Sequence, residues 1–99
     1  MKNNTISRIF DLSNRTIILT GSAGLLGTEY AHILSAAGAN LVLVDIQEKN
    51  NNKLEKILSQ KYCTNPMAVN VDITNESQIH NLKKSIIRKY GRIDGLINN

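Results

Sequence analysis

The chain has 99 residues, enough for one small domain, and its 41% hydrophobic and 20% charged content is typical of a globular protein. The formal net charge of +4 comes from 12 basic and 8 acidic residues. Because the basic residues are scattered along predicted helices with few aromatic residues, no nucleic-acid partner is expected. No apolar run approaches the ~20 residues that span a bilayer, so no membrane partner is expected either.

Residues 1–14 form a predicted polar N-terminal lead. They lack the apolar stretch that a signal peptide needs. The single cysteine, Cys63, excludes an intrachain disulfide and fits a reducing compartment, so a cytoplasmic location is expected. Ile9, Phe10 and Leu12 of the lead are predicted to pack beneath the first strand.

After the lead, apolar segments alternate with helical patterns. The first segment contains Ile17, Ile18 and Leu19 without alternation, which is typical of a strand buried on both faces. Strands are predicted over about 15–20, 41–44 and 67–71 and in a segment that opens at 95. Helices are predicted over about 25–37, over a stretch that ends near 61, and over about 75–90. Residues 48–52, before the second helix, are either a loop or its first turn. The first helix is predicted to place its larger apolar residues near one buried face: Leu26, Tyr30, Ile33, Leu34 and Ala37.

The resulting order is β-α-β-α-β-α-β. Each connection between strands is long enough for a crossover helix, which favours a parallel sheet with right-handed crossovers. The sequence therefore predicts an α/β fold of the Rossmann type, a doubly wound parallel sheet.

The turn between the first strand and the first helix is punctuated by glycine. Residues 20–27 read Thr-Gly-Ser-Ala-Gly-Leu-Leu-Gly, with Gly21, Gly24 and Gly27 at three-residue intervals. One glycine is expected to make a tight turn, one to let backbone approach a ligand, and one to let the helix pack close to the sheet. Because a helix begins here, its free N–H groups and positive dipole end predict a pyrophosphate site.

Asp45 follows the second strand, 24 residues after Gly21, near the spacing of about 20 expected for the acid that binds the adenosine ribose. Its carboxylate can accept hydrogen bonds from both ribose hydroxyls and would repel a 2′-phosphate. Neither the glycine turn nor the position after Asp45 carries Arg or Lys. The pattern therefore predicts NAD as the cofactor, with NADP less favoured. The structural alternative is that the glycines make only a tight turn and Asp45 only caps a loop.

Several segments resemble the N-terminal part of a short-chain dehydrogenase/reductase. They are Phe-Asp-Leu at 10–12, Thr-Gly at 20–21, Leu-Val-Asp at 43–45, Val-Asp-Ile-Thr at 71–74 and Tyr-Gly-Arg-Ile-Asp-Gly-Leu-Ile-Asn-Asn at 90–99. The last is similar to the approach to the family's Asn-Asn-Ala-Gly motif. The resemblance implies strand order 3-2-1-4. It also implies that residues 15–99 are a partial NAD(P)-binding Rossmann domain, the N-terminal portion of a larger single domain. The C-terminal catalytic half of that domain is expected to be absent from this sequence.

The resemblance also implies cofactor-binding roles for residues at the carboxyl ends of the strands. Those lining the pyrophosphate and nicotinamide side would be Gly21, Ser22, Gly24, Leu26 and Gly27. Asp45 and Ile46 would flank the adenosine ribose, and Asp72 and Ile73 would meet the adenine. Asn98 or Asn99 would lie beside the cofactor ribose.

Catalysis in this family, as the resemblance implies, uses a tyrosine whose pKa is lowered by a lysine four residues later, with a serine that holds the substrate oxygen. None of the three tyrosines has lysine at that spacing. No catalytic residue is therefore predicted, and the 99-residue chain alone is expected to bind dinucleotide weakly or not at all and to catalyse nothing. His32 and His80 lack partners at metal-ligand spacing, so no metal site is predicted.

Three functions stay open. The first is the cofactor-binding half of an oxidoreductase that moves hydride between nicotinamide and a secondary alcohol or carbonyl. The second is a nucleotide-sugar epimerase or dehydratase with bound NAD, because Gly-x-x-Gly-x-x-Gly is the spacing of the family's extended members. The third is a non-catalytic dinucleotide-binding domain.

The resemblance extends loosely to bacterial members that modify surface glycans or flagellin sugars, which implies a sugar-derived alcohol or ketone as substrate. Family members often pair subunits through the third helix and its successor. A homo-oligomeric parent enzyme is therefore expected.

Overall fold

The computed structural model describes residues 10–99. Residues 1–9, most of the predicted lead and with it Ile9, lie outside the described part. Leu12 packs against the core, and its N–H donates to the carbonyl of Ala37 at 2.7 Å. Phe10 is 63% exposed, so the prediction that it packs beneath the first strand is wrong. The end of the lead is therefore held to the domain through Leu12 and its hydrogen bond to Ala37, and Phe10 does not contribute to this packing.

Four strands and three helices alternate along the chain. They are β1 Thr16–Thr20, α1 Leu25–Ala36, β2 Asn40–Val44, α2 Glu48–Tyr62, β3 Met67–Val69, α3 Glu76–Tyr90 and β4 Gly95–Ile97. The strands form one sheet in the order β3-β2-β1-β4, and every neighbouring pair is parallel. The predicted Rossmann-type architecture and strand order are confirmed. The segment 48–52 is helical rather than loop, and β3 ends at Val69 rather than at residue 71.

The core is divided between the two faces of the sheet. Along β2, Leu41 and Leu43 belong to the cluster beneath α1 and α2, whereas Val42 and Val44 belong to the cluster beneath α3. Alternating side chains of a strand point to opposite faces, so β2 is buried on both sides. This central position places the carboxyl ends of β1 and β2 side by side, where ligands bind in open α/β sheets.

The buried face of α1 differs from the predicted one. Gly27, Ala31 and Ser35 face the sheet, whereas Leu26 is 59% and Ile33 is 64% exposed. The helix must place Gly27 against the turn, and successive helical residues are about 100° apart, so Leu26 is rotated away from the sheet. The small residues at intervals of four let α1 lie close to the sheet. Of the larger apolar residues, Leu34 packs against the core as predicted, whereas Leu26, Tyr30 and Ile33 lie on the outer face.

Candidate cofactor site

The three glycines of the turn have different surroundings. Gly21 has φ +64, which favours glycine, and forms the tight turn after β1. A Cβ on Gly27 would overlap the Gly21 carbonyl oxygen and lie 2.9 Å from Ser22 Cα. A Cβ on Gly24 would meet only the Gly21 carbonyl oxygen, at 3.3 Å. Gly27 therefore serves close packing, and Gly24 lies on the open side of the turn.

The N-terminus of α1 opens onto the same side. No side chain caps this helix, and its first turn contains no acidic residue. Thr28 N–H donates to Gly24 O at 2.9 Å, and the N–H groups of Leu25, Leu26 and Gly27 have no partner among residues 10–99. These free donors and the positive end of the helix dipole favour an anionic ligand.

Ser22 is turned into the protein. Its side chain is fully buried, and its hydroxyl donates to Asn51 Oδ1 at 2.6 Å. Its N–H donates to Val44 O at 3.3 Å. Both donors of Ser22 are used internally, so Ser22 has no hydrogen-bond donor left for a pyrophosphate and could act on it only through the shape of the turn. Asn51 was not predicted from the sequence, where its only signal is its position three residues before Leu54, on the side of α2 that also carries Leu58.

Asp45 connects the glycine turn to the end of β2. It is 8% exposed, and its two carboxylate oxygens accept hydrogen bonds from Ala23 N at 2.9 Å and Gln47 N at 2.8 Å. The loop-capping role left open above is therefore present. A carboxylate has about four acceptor sites, so each oxygen can still accept a bond from a ligand hydroxyl.

A cleft of about 340 Å³ begins beside Asp45 and the turn. It brings together these predicted residues: Gly21, Asp45, Ile46, Asp72, Ile73 and Asn99. Ile46 is 75% and Ile73 is 54% exposed, so the cleft has two apolar walls that are open to a ligand. Its remaining lining comes from the last residues of β1 and β2 and from Val71.

Asp72 supplies a second carboxylate to the lining of this cleft. The hydroxyl of Thr74 donates to Asp72 Oδ1 at 2.7 Å, and Thr74 N–H donates to the same oxygen at 2.9 Å. These two bonds lower the pKa of Asp72 below its ordinary value. Oδ2 accepts no hydrogen bond among the described residues and is available to a donor such as the amino group of a purine.

Thr20 ties the end of β1 to the two C-terminal asparagines. Its hydroxyl donates to Asn98 Oδ1 at 3.0 Å and accepts from Asn99 N–H at 3.0 Å. Asn99 Nδ2 donates to Gly21 O at 3.2 Å and packs against the turn. Asn98 instead lines an apolar groove of about 390 Å³ on the α3 side of the sheet.

Residues 10–99 contain no group of three or more His, Cys, Asp or Glu side chains that could hold a metal ion. None of the three described helices combines the length and apolarity needed to cross a membrane.

Curated relatives resemble most of this chain but are much longer. The short-chain dehydrogenase/reductase aba4 of Botryotinia fuckeliana (strain B05.10) is 34% identical over 86 residues, covering 87% of the chain and 33% of the relative. Tropinone reductase-like 2 of Erythroxylum coca is 32% identical over 88 residues, covering 89% and 30%. The chain spans about one third of the length of such relatives.

Solved structures resemble the fold closely. A protein assigned as a D-mannonate oxidoreductase from Haemophilus influenza, with bound NAD, has a TM-score of 0.84 and 26% identity, over 93% of this chain and 32% of that one. L-sorbose reductase from Gluconobacter frateurii, complexed with NADPH and L-sorbose, has a TM-score of 0.84 and 26% identity, over 91% and 34%. A sequence model described as short chain dehydrogenase matches residues 15–99. This match, together with the fold and the glycine turn, shows that the chain belongs to the short-chain dehydrogenase family.

Proposed function

We propose that residues 15–99 bind the ADP portion of a nicotinamide dinucleotide. The observation that carries this proposal is the uncapped N-terminus of α1, which opens beside the Asp45 carboxylate. The free N–H groups after Gly24 would hold the pyrophosphate, and Asp45 would accept hydrogen bonds from the adenosine ribose. The open side of Gly24 leaves room for the phosphates to approach the backbone.

The adenine would lie in the 340 Å³ cleft. Its two apolar faces suit the exposed side chains of Ile46 and Ile73, and its amino group suits the free Oδ2 of Asp72. Asn99 would border the cofactor from the end of β4, since its side chain already contacts Gly21.

NAD is proposed as the cofactor rather than NADP. A 2′-phosphate would approach the Asp45 carboxylate. Repulsion between these two negative charges in a partly desolvated site costs from about 1 to several kcal/mol. Solved relatives contain NAD in one case and NADPH in another, so the family relationship alone favours neither.

The whole protein is proposed to be an oxidoreductase. The bound nicotinamide would accept or supply a hydride, and the substrate would be a secondary alcohol or a carbonyl compound. A sugar-derived substrate is supported by the names of two solved relatives, which refer to D-mannonate and L-sorbose. Membership of a bacterial glycan-modifying group and homo-oligomer formation stay proposals drawn from the resemblance, as does a catalytic Tyr and Lys pair outside this sequence. A cytoplasmic location stays a proposal drawn from the single cysteine and the polar lead.

Residues 15–99 are proposed to be one part of a larger domain. Apolar side chains are exposed on both sides of the sheet: Leu26 and Ile33 on the outer face of α1, and Leu96 in the groove beneath α3. Since the relatives are about three times as long, further elements of the same fold would cover these surfaces.

Titration of NAD and NADP tests the cofactor proposal. For the wild-type chain we expect tighter binding of NAD, and for Asp45→Ser a selectivity for NAD that is about tenfold lower, because the ribose acceptor and the repelling charge are both removed. Asp11→Ser is the control, since Asp11 is exposed and, within residues 10–99, is hydrogen-bonded only to Ser13. Equal selectivity in wild type and Asp45→Ser would contradict the proposed role of Asp45.

A nucleotide-sugar epimerase or dehydratase is the second candidate, favoured by the glycine spacing of the turn. Such an enzyme keeps NAD through each catalytic cycle. NAD that survives purification of a longer chain carrying residues 1–99 would favour this candidate, and ready loss of NAD would favour the dehydrogenase.

A further inference from the structure

Asn51 is a buried amide on α2. It is 1% exposed, whereas its neighbour Asn52 lies on the solvent side of the same helix. Its Oδ1 accepts from Ser22 Oγ at 2.6 Å, and its Nδ2 donates to Leu43 O at 2.8 Å and to Val69 O at 3.4 Å. The orientation of the amide follows from these partners, because the reverse orientation would place Oδ1 against two carbonyl oxygens.

These partners belong to three separate segments: the glycine turn, β2 and β3. The next buried residues of α2 are Leu54 and Leu58, so packing alone would favour an apolar residue at position 51. A buried amide is costly to desolvate unless every partner is satisfied. Here the amide uses both its donors and its acceptor, and one of its three bonds goes to the turn.

The glycine turn is held from the protein side at successive residues. The Ser22 hydroxyl is bonded to Asn51, the Ser22 N–H to Val44 O, and the Ala23 N–H to Asp45 Oδ2. The Ser22 hydroxyl is therefore used for anchoring, while the N–H groups of Leu25, Leu26 and Gly27 have no partner among residues 10–99.

We infer that Asn51 is a positioning residue for the dinucleotide pyrophosphate. Through Ser22 it fixes the turn against β2 and β3, so that the free N–H groups at the start of α1 are already oriented when the ligand arrives. Preorganised donors bind more tightly than donors that must be ordered on binding. Asn51 itself does not touch the ligand, and the inference rests on the proposed function of the turn.

The test compares the affinities of ADP and adenosine for the chain of residues 1–99. Binding is measured from backbone amide chemical shifts in NMR titrations at millimolar ligand. Adenosine occupies only the cleft, whereas ADP also needs the turn. The variants are Asn51→Leu and Ser22→Ala, which remove the bond from either side, and Asn52→Leu, the matched control on the exposed face.

We expect ADP to bind about fivefold more weakly to Ser22→Ala and Asn51→Leu, with adenosine affinity unchanged, because one hydrogen bond that orders the turn is lost. Asn52→Leu should bind both ligands as the wild type does. Faster hydrogen exchange at Ala23 and Gly24 in the two variants would accompany the loss.

Unchanged ADP affinity in Ser22→Ala would overturn the inference, as would an equal loss of ADP and adenosine affinity, which indicates a merely structural role. If Asn51→Leu does not fold, Ser22→Ala decides, since it leaves both bonds from Asn51 to the strands in place. If ADP shifts no amide of residues 21–27 in the wild type, the proposed function itself fails, and the inference fails with it.

Discussion

Gly27 and Gly24 differ in what a side chain would meet. A methyl group on Gly27 would overlap backbone of the turn, whereas one on Gly24 would require a shift of only a few tenths of an ångström. The first position is therefore constrained by packing, whereas the proposed function gives the second position its constraint through the ligand.

Gly27→Ala should lower the free energy of unfolding by about 1–3 kcal/mol, because the contact is with backbone that has no room to move. Gly24→Ala should change stability by less than about 1 kcal/mol but weaken ADP binding on its open side. Chemical denaturation and ADP titration of both variants measure these effects. A Gly27→Ala variant as stable as wild type would show that α1 can move away from the turn.

The short strand β4 depends on an ionic anchor at its start. Asp94 Oδ2 accepts from Thr16 N–H at 2.7 Å, and Asp94 N–H donates to Thr16 O at 2.8 Å. The Asp94 carboxylate also pairs with Arg92 at 2.6 Å and with Arg15 at 3.6 Å. The side chain thus extends the β1–β4 ladder beyond the three paired residues.

The stability of this anchor should depend on pH. The hydrogen bond from Arg92, and after it that from Thr16, lowers the pKa of Asp94 below its ordinary value. A lowered carboxyl pKa contributes stability that is complete above the ordinary value near 4 and is lost as the pH falls through the folded-state pKa.

Wild type should therefore lose more stability on acidification from about pH 5 to 3 than Asp94→Asn does. Thermal melts across this range measure the difference. Glu29→Gln is the charge-matched control, since Glu29 is exposed on α1 and makes no hydrogen bond or ion pair within residues 10–99. Parallel acid profiles for wild type and Asp94→Asn would contradict the anchoring role.

At the scale of the whole molecule, the sheet is incompletely covered. Leu96 is 63% exposed in the groove beneath α3, and Ile79 and Ile93 beside it are 39% and 38% exposed. Exposed apolar patches of this kind promote association, and β4 is also an edge strand.

Leu96→Lys should reduce binding of a hydrophobic dye and raise the concentration at which the chain associates, with little effect on the melting temperature. Ile86→Ala, on the same side of the sheet but fully buried, should instead cost about 2–5 kcal/mol of stability. Light scattering and melts separate the two effects. A large loss of stability in Leu96→Lys would show that Leu96 belongs to the core of this chain.

Most of the fold could be predicted from local pattern. Continuous apolar runs indicated the strands, and glycine at residues 38 and 91, both with positive φ, indicated where α1 and α3 end. The long connections indicated parallel pairing, and the family resemblance supplied the strand order that the structure shows. Asn75 caps the N-terminus of α3, since its side-chain oxygen accepts from Gln78 N–H.

By itself, the sequence determined the glycine turn, the acid after β2 and the fold that brings them to one edge, because these depend on spacing along the chain. Only the tertiary structure decided which face of α1 is buried, since that depends on the approach of Gly27 to Gly21 rather than on hydrophobicity. It also decided that Ser22 faces inward to Asn51. Ser22 and Asn51 are 29 residues apart in the chain, so their hydrogen bond leaves no periodic signal in the sequence. The buried amide of Asn51 differs from its exposed asparagine neighbours only in its tertiary contacts.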